Sequence, residues 1–318
     1  MNRVIRLRKS ILSLTSIIVV GLYFMYLPKS IIIEKTDRHV ISAPVHVSPN
    51  RSQTIAMSTP MSGGRLLCWI MTSPITVVSK ATHVQNTWGK RCDKLLFVSS
   101  NGTQERAKHL PVVELPVKEG RQNLWKKTKE ALLHIYSSYL NDYDWFLKAD
   151  DDTYVIVENL RHFLRDKDRN EAIYYGRRFK PHVKQGFMSG GAGYVLSRQA
   201  VRYHVEFGNS SNYLNSTCAN QNNGEDVQLG LCLELAGVKA GDTRDSEGKE
   251  RFFPLGPEDH MNQPDIKENN WYLYYSYYPH IKGCSQTVIS FHYIEPRMMY
   301  ILDYFVYNVT LPVVWRHA

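Results

Sequence analysis

The chain has 318 residues, 43% hydrophobic and 22% charged, which excludes a disordered, collagenous or coiled-coil protein and allows one large domain with attachments or two small ones. Its formal charge is +9, but the first 63 residues carry +6 of it and only +3 remains for the rest. A nucleic-acid protein carries its basic excess as a patch on the folded domain, so that class of partner is excluded as well.

In chain order, Arg3, Arg6, Arg8 and Lys9 precede an apolar run over residues 11–27. A helix of that length spans about 25 Å, a little short of the roughly 30 Å hydrocarbon core. The run is longer than the apolar part of a secretory signal, and no small-x-small cleavage site follows it. With the cations held on the cytosolic side, residues 1–10 read as a cytosolic tail and 11–27 as a signal anchor. Residues 28–63, polar and carrying Pro44, Pro49 and Pro60, read as a luminal stem. Residues 64–318 form the luminal domain. Asn-x-Ser/Thr sequons at Asn101, Asn209, Asn215 and Asn308 agree with that side of the membrane. So do five cysteines, all beyond the anchor, whose spacings match no zinc module. Their odd number leaves at least one thiol unpaired within the chain.

Short β-rich apolar runs at 66–71, 95–99, 111–117 and 145–149 predict strands. Between the last two, Leu124, Thr128, Ala131, Leu132 and Ile135 recur at helical spacing and predict a helix over 122–139. Strands alternating with helices imply an α/β, Rossmann-like fold with a mainly parallel sheet, whose ligands bind beyond the C-terminal strand ends.

Asp150-Asp151-Asp152 stands at one such end. Three adjacent carboxylates repel one another and suit a hard divalent cation that bridges to nucleotide phosphates. The plain alternative is a helix cap, with Asp152 opening a helix through Leu160. An EF-hand is excluded, since Arg161 stands where the bidentate Glu belongs. Met188-Ser189-Gly190-Gly191-Ala192-Gly193-Tyr194 precedes a strand and is a poor phosphate loop; its glycines suit close backbone approach to a ligand or a simple turn. Glu225-Asp226 opens an apparent helix through Leu233, as first-turn acids or with a carboxylate held as a general base. Trp271-Tyr272-Leu273-Tyr274-Tyr275-Ser276-Tyr277-Tyr278 offers rings for stacking on sugars or for a strand packed into the core. In Phe291-His292-Tyr293, the imidazole is a core residue or a metal ligand.

These stretches, with Cys68-Trp69-Ile70-Met71-Thr72, Thr87-Trp88, Lys118-Glu119-Gly120-Arg121 and Gly176-Arg177-Arg178-Phe179-Lys180-Pro181, resemble the core 1 β1,3-galactosyltransferase family of the β3-glycosyltransferase and Fringe-like group. The resemblance runs from about Leu66 to Tyr307. It implies a GT-A fold and transfer of galactose from UDP-galactose to O3 of GalNAc on Ser or Thr of glycoproteins. It further implies a single-pass type II protein of the Golgi membrane. Mn²⁺, with Mg²⁺ as the substitute, would be held by Asp152, His292 and Asp150. Asp226 would be the inverting base. Thr72, His83, Lys127, Asp150 and Asp151 would meet the donor, and Gly191, Trp271 and Tyr272 the acceptor. Disulfides Cys68–Cys92 and Cys218–Cys232 are implied, leaving Cys284 free or intermolecular; Gly283-Cys284-Ser285 departs from the adjacent cysteines of the family pattern. A homodimer and a dedicated chaperone stay open as partners. The alternatives are a Fringe-like β3-transferase with another donor or acceptor, a non-catalytic chaperone-like relative, which the retained aspartates oppose, and a glycoside hydrolase using Asp226.

Overall fold

The computed structural model describes residues 63–214, 216–219, 224–261, 271–276 and 280–310. The expected tail, anchor and stem up to residue 62, the sequon at Asn215, and Tyr277 and Tyr278 lie outside the described residues. Among the described residues no helix is long and apolar enough to cross a membrane.

Every residue of β1 (Leu66–Met71) is buried because the sheet is covered on both faces. Alternate side chains divide between two cores: Leu66, Cys68 and Ile70 enter one, Leu67, Trp69 and Met71 the other. The remaining strands of the main sheet are β2 (Lys94–Ser100), β3 (Val112–Leu115) and β4 (Trp145–Asp150), then β6 (Ile173–Gly176), β9 (Tyr194–Ser197) and β10 (Lys239–Ala240). Their order is β10-β6-β9-β4-β1-β2-β3. A second, three-stranded sheet has the order β11-β12-β5, from β5 (Tyr154–Val155), β11 (Phe252–Phe253) and β12 (Ser290–Phe291). A two-stranded ribbon pairs β7 (Arg178–Phe179) with β8 (Phe187–Met188).

The four expected strands are all present, and β1, β2, β3 and β4 run parallel. β9 departs from that pattern: it lies between β4 and β6 and is antiparallel to both. Its direction has a use. An antiparallel strand begins where its neighbours end, so the Gly-rich segment before β9 lies beside the aspartates after β4.

Helices α1 (Leu124–Tyr139), α3 (Arg198–Gly208) and α4 (Glu225–Leu235) cover the face of Leu67 and Trp69 through Trp125, Leu132, Val201 and Leu229. Helices α2 (Val157–Leu164) and α5 (Pro296–Tyr307) cover the other through Leu160 and Met299. The alternative of a helix cap by Asp152 is not what forms. After Asp152 the chain extends into β5, and α2 starts only at Val157 with no side-chain cap. Pairing of β5 with β12 satisfies that backbone instead.

Cys68–Cys92 and Cys218–Cys232 are disulfide-bonded and Cys284 is free. The second bridge ties α4 to the preceding 3₁₀ turn, Thr217–Ala219. Closing a loop of that size restricts the unfolded chain by roughly 3 kcal/mol. Replacing both Cys218 and Cys232 with Ser is therefore expected to lower the thermal midpoint by several degrees, read by calorimetry.

Candidate active site

β4 ends at Asp150, level with Met71 of β1. The next two residues turn away from the sheet, held by the Asp151 amide donating to the Met71 carbonyl at 3.1 Å. Asp151 faces inward and is buried; its Oδ2 accepts from the hydroxyls of Thr72 at 2.8 Å and Thr76 at 2.6 Å. Burial raises its pKa to about 6 against those hydrogen bonds. The middle aspartate thus fastens the turn, and its neighbours point outward.

His292 reaches that turn through the small sheet. Register puts Phe291 opposite Tyr154, and the Ile294 amide donates to the Asp152 carbonyl at 2.8 Å. His292 Nε2 then lies 3.2 Å from Asp152 Oδ1 and 3.6 Å from Asp150 Oδ2. Its Nδ1 is 3.2 Å from the Pro254 carbonyl, which can only accept. Nδ1 therefore donates to that carbonyl, and Nε2, turned toward the two carboxylates, is the ring atom left for a metal, as in metal-ligating histidines. One potential ligand atom from each of Asp150, Asp152 and His292 lies within 4.8 Å of the others. Two carboxylate oxygens and an imidazole fit a divalent ion of the Mn²⁺ class. Burial raises the Asp152 pKa, but His292 and Lys80, whose Nζ is 2.8 Å from Asp152 Oδ2, outweigh it and bring the carboxyl to about 2.

Asp226 lies in the first turn of α4. Its Oδ2 accepts from the Gly190 amide at 3.0 Å and its Oδ1 from the Val227 amide at 2.9 Å. Glu225 faces inward; its Oε1 accepts from Thr128 Oγ1 and Tyr194 OH, each at 2.8 Å. Burial raises its pKa against the pull of Lys148. Both line the cavity described next, and Asp226 is the one held by backbone donors.

Asp150, His292 and Asp226 open onto one cavity of about 350 Å³, lined also by Gly191, Tyr272 and Tyr293, while Asp152 stands outside its lining. Gly191 is required sterically: a Cβ there would collide with the His292 ring at Nδ1 and Cε1. Gly191→Ala is expected to displace His292 and weaken Mn²⁺ binding at least tenfold, read by titration with the metal alone.

Other expected contacts fall elsewhere. Thr72 and Lys127 back the aspartate turn, Lys127 Nζ donating to the Thr72 carbonyl at 3.0 Å and pairing with Glu119 at 2.7 Å. Neither lines the cavity, nor does His83, whose Nδ1 lies 3.0 Å from Tyr300 OH on α5. Trp271 is 73% exposed, its ring on Tyr272 rather than on the cavity wall. The Arg178 guanidinium lies over the Tyr274 ring, 3.7 Å from its centroid, and donates to Tyr275 OH at 2.9 Å, so the aromatic run divides between cavity and ribbon.

Three residues of this region escaped the sequence reading. Lys80 and Tyr293 gave no local signal; Tyr293 adopts φ 55° and stacks on His292 with ring centroids 3.9 Å apart. Lys148 did give one, as a charge inside an apolar strand.

Residues 78–245 match the Fringe-like family model. The chain belongs to the Fringe-like family. The matched stretch holds Asp150, Asp152, the Gly-rich segment and Asp226, while His292 lies beyond it. Among relatives, this Fringe-like chain is 45% identical over 249 residues to glycoprotein-N-acetylgalactosamine 3-beta-galactosyltransferase 1 of Xenopus laevis, covering 77% of this chain and 67% of that one. It is 27% identical to chondroitin sulfate synthase 3 of Mus musculus over 57% of this chain and 22% of that longer protein. It is 28% identical to the beta-1,3-glucosyltransferase of Mus musculus over 49% of this chain and 30% of that one. A solved galactosyltransferase, LgtC with donor and acceptor sugar analogues, aligns over 79% of this chain at 13% identity with a TM-score of 0.41.

Proposed function

We propose that the chain is an inverting, metal-dependent galactosyltransferase of GT-A type. In this reading it moves galactose from UDP-galactose to O3 of GalNAc on Ser or Thr of glycoproteins. One observation carries it: two members of a three-ligand group, Asp150 and His292, and a carboxylate held by backbone amides, Asp226, line the same cavity. The identity to the Xenopus laevis enzyme, named for that transfer, supports the choice of sugars.

The roles follow from the geometry. Mn²⁺, with Mg²⁺ as the substitute, held by Asp150, Asp152 and His292, would neutralise charge on the departing diphosphate, so that no protein acid is needed. Asp226 would accept the proton of the acceptor hydroxyl. Its two backbone hydrogen bonds fix the carboxylate before substrate arrives, so little reorganisation is left for the reaction. The ring of Tyr272, at the cavity wall, offers an apolar face to a sugar. Lys80, beside Asp152, adds a cation on the diphosphate side. A type II anchor in the Golgi membrane, with this domain luminal, completes the proposal; two disulfides and the cations before residue 11 support it.

The test gives the purified chain UDP-galactose, Mn²⁺ and a peptide bearing GalNAc-α-Ser. A β1,3-linked disaccharide formed from UDP-galactose in preference to other UDP-sugars is the expected product. Transfer of a different sugar, or to a different acceptor, would replace this reading with the other Fringe-like one. Absence of transfer from any UDP-sugar would remove the enzyme.

A further inference from the structure

Lys148 is 2% exposed, in a position where the neighbouring strand residues are apolar. Its Nζ donates to Asp150 Oδ1 at 2.7 Å and to the Gly190 carbonyl at 3.0 Å. The amide of that same Gly190 donates to Asp226 Oδ2. Asp150 thereby divides its oxygens, Oδ1 to Lys148 and Oδ2 toward His292. One ammonium group so links the metal-side carboxylate to the loop that holds Asp226. Burying an ammonium is costly, and an apolar side chain would fill the strand position with less penalty. The lysine is explained if its two hydrogen bonds matter.

We propose that Lys148 is a positioning residue that sets the separation between Asp150 and Asp226. The inference rests on the proposed function for its kinetic consequence and on the geometry alone for its spectroscopic one. Lys148→Met would free the Asp150 carboxylate to rotate and leave the Gly190 carbonyl without its donor. Loss of orientation weakens metal binding while loss of a nearby positive charge strengthens it. The two oppose, so Mn²⁺ affinity should stay within about threefold of the unaltered chain. Misplacement of reacting groups by about 1 Å costs roughly a hundredfold in rate, so kcat should fall by about that factor with the donor KM little changed.

The experiment compares the unaltered chain with Lys148→Met, Lys148→Gln and Lys148→Arg by Mn²⁺ titration, the electron paramagnetic resonance line shape of bound Mn²⁺, kcat, KM and thermal midpoint. The expected result is a changed Mn²⁺ line shape and lowered kcat in the Met variant, with retained affinity and partial recovery of both by Arg. A kcat within threefold of the unaltered chain overturns the proposal. So does parallel loss of Mn²⁺ binding, kcat and folding in both the Met and Gln variants, which would make Lys148 a support of the fold alone. If the unaltered chain transfers no sugar, the proposed function fails by itself. The positioning role is then decided by the line shape: unchanged in Lys148→Met, it is refuted.

Discussion

Asp226→Asn is expected to lower kcat for galactose transfer by about 10³- to 10⁴-fold, near the upper range for loss of a general base. UDP binding in the presence of Mn²⁺ should be nearly unaffected. The substitution is well matched to the site, because an amide oxygen can still accept from the Gly190 amide that now bonds Asp226 Oδ2. Loop and helix therefore keep their contact, while the amide nitrogen takes the place of Oδ1 and the Val227 amide loses its acceptor along with the basic lone pair. Calorimetric titration with UDP beside steady-state kinetics checks both halves. A parallel loss of UDP affinity and rate would place Asp226 in the donor site instead of at the acceptor hydroxyl.

The second large effect concerns the metal. Asp152→Asn is expected to weaken Mn²⁺ binding by at least tenfold and to reduce transfer by about 10³-fold. That is the scale of the several kcal/mol a bound cation contributes to charge stabilisation. Asp152 carries this weight because its two oxygens face different partners, Oδ1 toward His292 Nε2 and Oδ2 toward Lys80. Chelation of the unaltered chain should produce the same loss, reversed on adding Mn²⁺. Full activity after exhaustive chelation would exclude a metal-dependent transfer and leave Lys80 as the cation serving the diphosphate directly.

Much of this arrangement was readable from the chain, for reasons that differ by residue. The runs at 66–71 and 145–149 are apolar apart from Lys148 because each strand is buried on both faces, and they coincide with β1 and β4 to within one residue. The helix expected from 122 begins at Leu124, its first turn being 3₁₀ from Arg121 to Asn123. The aspartates lie at the end of β4, where an α/β sheet presents ligands. What local pattern could not supply was anything decided by pairing far along the chain. The helix-cap alternative for Asp152 stayed open because nothing nearby in sequence announces β12, the partner that draws residues 154–155 into a strand. For the same reason His292 could be read as a core histidine until Phe291 was found opposite Tyr154. The antiparallel β9 was hidden by its ordinary strand composition. Thr72 and Lys127 came from resemblance rather than residue chemistry, and they back the aspartate turn instead of facing the cavity.

The pairing of β5 with β12 bears on how the protein is made as well as on what it does. The aspartates are synthesised long before His292, and until β12 docks they form an acidic turn without its third ligand. The strand that delivers the imidazole closes one of the longer loops in the domain, a step that contributes late because its entropy cost precedes its contacts. A divalent ion binds the assembled trio better than the aspartates alone, and so favours the docked C-terminal segment by mass action. A bound ion would then also be a fastener, joining the turn after β4 to the segment after β12, and supply of the metal would bear on yield of folded protein before it bears on turnover.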